Sequence, residues 1–119
     1  MIRLTALLAV VAAALYGVTS IGAAPAATKK LNGSVGPGET IVLKKGSARV
    51  ATIPRGRYTI TISDRSSEHN FHLRGPVSRM LTSISGTGTK TTTLNLKPGR
   101  YTYVCDPHSA EMRGSFRVK

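Results

Sequence analysis

The chain has 119 residues, with 17 Lys and Arg against 5 Asp and Glu, so it carries a net charge of +12 and has room for a single domain. One cysteine excludes an internal disulfide, the usual support for small exported domains. No basic stretch is interleaved with aromatics, which argues against nucleic acid as the partner of this charge.

The first residues follow a targeting pattern. Met1, Ile2 and Arg3 give a short positive start, Leu4 to Tyr16 run almost wholly apolar, and Ala24-Pro25-Ala26 fits the small-x-small spacing before a signal-peptidase cut. Residues 1–26 therefore read as a signal peptide and 27–119 as the mature domain, which places the protein in the periplasm or outside the cell. An uncleaved anchor is the alternative, because Leu4 to Ala24 is nearly long enough to span a bilayer. Membrane contact is expected only in that case. All five acids and all but one of the Lys and Arg lie beyond residue 26, for a mature charge of +11. Cys105 is then a small core residue, an intermolecular thiol or a ligand, and an oxidising compartment counts against the first.

Beyond the targeting segment there is no sustained 3.6-residue apolar period. Short alternating runs are separated by turn residues. "GPGE" at 36–39, "KKGS" at 44–47 and "IPRG" at 53–56 read as turns. In "RYTITIS", Tyr58, Ile60 and Ile62 share one face of a strand. If Glu68 to Leu73 is extended, His69, Phe71 and Leu73 point inward, with Asn70 and His72 on the other face. Arg74 to Thr89 is expected to be a long surface connection, pinned by Met80, Leu81 and Ile84. "TLNLK" sets Leu94 and Leu96 on one face, "KPGR" turns, "RYTYVC" forms another strand, and "SFRVK" sets Phe116 and Val118 inward. Several short strands in about 90 residues predict a small antiparallel β-sandwich.

Inward His69 and the strand-capping Cys105, with His108 and Met112 on the loop beyond, offer four donors. One thiolate, two imidazoles and a thioether suit copper in electron transfer, whereas structural zinc prefers four strong Cys or His ligands. With every position filled by protein, no open site remains for a substrate, which argues against an enzyme.

"HNFHL" at 69–73, "PGRYTYVCDPH" at 98–108 and "MRGSF" at 112–116 make the chain similar to the cupredoxins, the small blue copper proteins of the plastocyanin, azurin and pseudoazurin type. The resemblance covers roughly Leu31 onward. It implies an all-β Greek-key sandwich with the metal at one end, and one copper per chain cycling between Cu(I) and Cu(II). It implies His69, Cys105, His108 and Met112 as the ligands and one-electron transfer as the work. The spacing from His108 to Met112 is one residue shorter than in plastocyanin and pseudoazurin and one longer than in amicyanin. In azurin the Asn after the first His braces a hydroxyl residue that follows the Cys; here Asn70 is present and Asp106 takes the hydroxyl's place, a carboxylate able to accept from the amide. Tyr101 and Tyr103 are expected to be structural, one tying a corner of the sandwich through its hydroxyl.

The leading expectation is a monomeric electron carrier. It would meet redox partners at the His108 edge, among Pro107, Ala110, Pro76 and Val77, and dock on acidic surfaces through Arg74, Arg79 and Arg113. The alternatives are a carrier or buffer that delivers copper, against which only Met80 and Met112 remain in the mature chain, and a metal-free sandwich that binds polyanions.

Overall fold

The computed structural model describes residues 12–20, 22 and 28–119. Most of the segment read as a signal peptide, and the cleavage point near Ala27, lie outside the described residues. Among the described residues no helix is long and apolar enough to cross a membrane.

Among the described residues ten strands form two five-stranded sheets. In the first, β3 (Ala48–Arg49), β2 (Ile41–Lys45), β1 (Lys29–Val35), β5 (Gly56–Asp64) and β8 (Gly88–Leu96) lie side by side in that order. In the second the order is β4 (Thr52–Ile53), β10 (Arg113–Val118), β9 (Gly99–Val104), β6 (Phe71–Arg74) and β7 (Arg79–Thr82). The sandwich is therefore mixed rather than purely antiparallel: β1 runs parallel to β5, and β10 parallel to β4. Alternation in the sequence shows which residues face the core but not which way a neighbouring strand runs.

The inward rows expected for β5, β8 and β10 hold. Tyr58, Ile60, Ile62, Leu94, Leu96, Phe116 and Val118 are all buried. Two stacked ring pairs join neighbouring strands of the second sheet, Phe71 on Tyr103 at 5.4 Å and Tyr101 on Phe116 at 5.1 Å between centroids. The stretch 74–89 departs from expectation. It contains edge strand β7, paired with β6, and the start of β8. Leu81 is buried and pins it, whereas Met80 and Ile84 are about half exposed. A four-residue edge strand with one buried aliphatic leaves too little alternation to be legible.

The ends of the sandwich are distinct. Loops 36–40, 65–70, 83–87 and 105–112 gather at one, and turns 54–55, 75–78 and 97–98 at the other. Tyrosines tie the second end: Tyr58 Oη donates to Pro54 O at 2.6 Å and Tyr101 Oη to Lys97 O at 2.9 Å, each reaching four residues back. Burial raises the pKa of both phenols, outweighing for Tyr101 the opposing hydrogen bond to Lys97, so both remain donors. Tyr101 is thus the expected corner residue, Tyr58 is a second, and Tyr103 serves by stacking. Pro76 packs against Gly99 at this tyrosine-tied end, so Pro76 and Val77 are not neighbours of His108.

Candidate metal centre

Three of the four sequence-predicted donors converge at the end with the long loops. His69 ends the loop from β5, two residues before β6. Cys105 follows the last residue of β9, and His108 closes a 3₁₀ turn over Asp106–His108 with Pro107 at its start. The two Nδ1 atoms lie 3.1 Å apart, and Cys105 Sγ lies 3.5 Å from His69 Nδ1 and 3.7 Å from His108 Nδ1. The rings meet edge to face, at 78° between planes. A point equidistant from these three atoms lies about 2.0 Å from each, close to the ~2.0–2.1 Å of a metal–imidazole bond and a little short of the ~2.3 Å of a metal–thiolate bond. The triangle fits one ion with slight expansion.

Burial favours the same reading. Cys105 and His69 are buried, and His108 is partly exposed. Met112 is fully buried on the same loop. The backbone closes that loop on itself: Cys105 N–H donates to Met112 O at 3.0 Å, His108 N–H to Cys105 O at 3.1 Å and Met112 N–H to His108 O at 2.8 Å. Gly114, two residues on, has no room for a side chain, because an added Cβ would overlap the ring of Tyr103 on β9. That contact is the physical reason for a glycine in "MRGSF".

Asn70 braces the site from outside. Its Nδ2 donates to Asp106 Oδ2 at 2.8 Å, and its Oδ1 accepts from Asp106 N–H at 2.8 Å. The amide thus ties the residue after His69 to the residue after Cys105, the bond that a carboxylate in place of a hydroxyl was expected to preserve. Asn70 is fully buried, although alternation put it on the outer face; strand geometry begins only at Phe71. Its Nδ2 also lies 2.7 Å from Met80 Sδ, so Met80 touches the brace rather than the donor triangle.

His72 is turned away from the triangle, as parity predicts. Its Nδ1 lies 3.0 Å from both oxygens of Asp106. Arg74, two residues on and so on the same face, places Nη2 2.6 Å from Asp106 Oδ1. Sequence reading missed this ion pair; the shared parity of His72 and Arg74 beside a strand ending in Cys-Asp was the available signal. Burial alone pushes the Asp106 carboxyl up, but the hydrogen bonds from Asn70 and His72 and the charges of His72 and Arg74 hold it below its ordinary value. It is therefore a carboxylate next to Cys105.

A family model described as copper binding proteins, plastocyanin/azurin family, matches residues 34–119. Among solved structures, rusticyanin from Thiobacillus ferrooxidans is similar at 24% identity over 77% of each chain, with a TM-score of 0.56. Auracyanin A, a "blue" copper protein from the green thermophilic photosynthetic bacterium Chloroflexus aurantiacus, is similar at 16% identity over 78% of this chain and 100% of its own, with a TM-score of 0.55. No curated protein matches the chain at a significant level.

Proposed function

The chain belongs to the plastocyanin/azurin family of copper-binding proteins, and on that premise we propose that it is an exported blue copper protein that carries single electrons between redox partners. His69, Cys105 and His108 would hold its one copper, with the buried Met112 on the same loop as a fourth, weaker thioether donor. The observation that carries this reading is the triangle of two Nδ1 atoms and one Sγ, closed by a self-bonded loop. Copper there supplies a one-electron couple. The soft sulfur donors favour Cu(I) and the imidazoles also suit Cu(II), so one geometry serves both states. Family members are electron carriers rather than enzymes, and four protein donors leave no position for a substrate.

The chain's own residues set the conditions for transfer. Buried Cys105 and Met112 keep water from the sulfur side, while the part-exposed His108, flanked by exposed Pro107 and Ala110, offers a short route to a docked partner. The partner proposed is a redox protein with an acidic surface, met by Arg113 at the start of β10 and by Arg79 on β7. Arg74, expected to join them, is committed to Asp106.

One equivalent of Cu(II) should produce an intense thiolate-to-copper visible band that bleaches with a one-electron reductant and returns on oxidation over many cycles. Absence of the band refutes the site. A band lost rapidly to a chelating acceptor would instead make the protein a copper carrier.

A further inference from the structure

The positive charge of this protein is not spread evenly. The acids Glu39, Asp64, Glu68, Asp106 and Glu111 are all the chain has, and each lies in, or at the border of, the loops around the metal centre. The opposite end carries Lys29, Arg55, Arg57, Lys97, Arg100 and Arg117, with no acid and no salt bridge there among the described residues. Register and contacts fix these positions. Lys29 Nζ donates to Arg55 O at 3.2 Å, Leu96 (just before Lys97) pairs with Gly56, and Arg57 pairs with Asn95. Arg100 and Arg117 stand directly opposite each other on β9 and β10.

That last pair is informative. Like charges directly opposite on antiparallel strands are destabilising. Among the described residues no acidic side chain pairs with either of them; the side-chain partner of Arg100 is the neutral hydroxyl of Ser115 at 3.3 Å. A cost kept in the fold without an internal offset points to an external anion. The course of the chain indicates which. β1 begins at Lys29, on this same end, only a few residues after the apolar stretch Leu4 to Ala24. Lys29 stands five positions after Ala24, at most about 18 Å when fully extended, so a bilayer that retained that stretch would sit beside the basic end. The tyrosines of this end, Tyr58 and Tyr101, are buried, so no aromatic platform is offered for stacking nucleobases.

We propose that the basic end is a docking surface for an anionic phospholipid bilayer, which holds the molecule upright with the copper end facing away from the membrane and toward soluble partners. Such attraction acts through the surface potential of anionic headgroups and decays within a Debye length. It rests on the charge distribution and not on the electron-carrier reading, so either can fail alone.

The full-length, copper-loaded protein is mixed with vesicles of phosphatidylcholine and with vesicles that also contain phosphatidylglycerol, and the bound fraction is read by sedimentation at low and high salt. Binding to the anionic vesicles should exceed binding to the neutral ones at low salt, and the excess should vanish at high salt. Each basic residue near an anionic surface contributes about fivefold, so the triple variant Lys97→Gln, Arg100→Gln, Arg117→Gln should lose about a hundredfold of the excess. The triple variant Lys44→Gln, Arg65→Gln, Lys90→Gln has the same net charge but lies away from this end, and should keep the excess. If the apolar segment alone saturates binding to every vesicle, amide hydrogen exchange on the unmodified protein decides. Amides near 54–57 and 97–100 should slow on anionic vesicles only, with 36–40 and 106–111 unchanged. Equal losses in the two variants, slowed exchange at the copper end, or no preference for anionic lipid overturns the proposal. So does tighter binding to a nucleic-acid polyanion than to anionic vesicles.

Discussion

At the copper end, order comes from side chains that cross between loops: Asn70 exchanges two hydrogen bonds with Asp106, and Arg74 and His72 converge on the same carboxylate. At the opposite end, order comes from Tyr58 and Tyr101 reaching back four residues to backbone oxygens, and among the described residues the charges there bond to main-chain oxygens or a serine hydroxyl and to no acidic side chain. Both ends close the same sandwich, yet one uses its polar groups internally and the other presents them outward. A loop cluster that must hold donor atoms in place needs polar cross-bonds, because irregular backbone provides no ladder to do it. A tight turn between paired strands needs only an anchor.

The largest effects should come from breaking the copper end at its centre. Cys105→Ser should abolish the thiolate-to-copper band, read by visible absorption, because the band requires sulfur. His69→Ala should weaken copper binding by more than the roughly 10–100-fold typical of losing a residue behind a ligand, whereas His72→Ala should leave affinity close to that of the parent. Loss of copper in the His72 variant would mean that the triangle has been assigned to the wrong histidine.

The brace comes next. Asn70→Ala removes a fully buried amide and both bonds to Asp106, and should cost about 2–4 kcal/mol of unfolding free energy by denaturant titration. It should also broaden the visible band. Tyr101→Phe removes one hydrogen bond at the other end and should cost about 1 kcal/mol, with the spectrum unchanged. A spectral change in that variant would show that the two ends are coupled. Met112→Leu should keep the colour and raise the reduction potential, since losing a weak donor to Cu(II) disfavours the oxidised state.

The smallest effect is on pH dependence. The Asp106 carboxyl is held below its ordinary value in the folded protein, so its contribution is fully present above the ordinary carboxylate range and is lost as pH falls through the folded value. Thermal melts of the metal-free protein should therefore show a steeper acid decline than Asp106→Asn. Identical slopes would mean that the brace is neutral to protonation.

Alternation made the core legible, since period two is a strong signal in β5, β8 and β10. The convergence of His69, Cys105 and His108 was legible because their residue types and spacing are chemically narrow. The parallel pairing of β1 with β5, the edge strand β7 and the buried position of Asn70 were not, because each depends on which strand or loop lies alongside. The segregation of charge was hidden for the same reason: acids scattered from Glu39 to Glu111 in the chain meet at one end only after the strands fold back on one another.

The central claim is tested most directly by copper K-edge X-ray absorption on the protein loaded with one equivalent of copper. Two imidazole nitrogens at about 2.0 Å and one sulfur a few tenths of an ångström longer or less are the expected shell, by comparison with the bond lengths of similar ligands. A shell of nitrogen and oxygen alone, with no sulfur scatterer, would contradict the assignment of Cys105 and with it the proposed function.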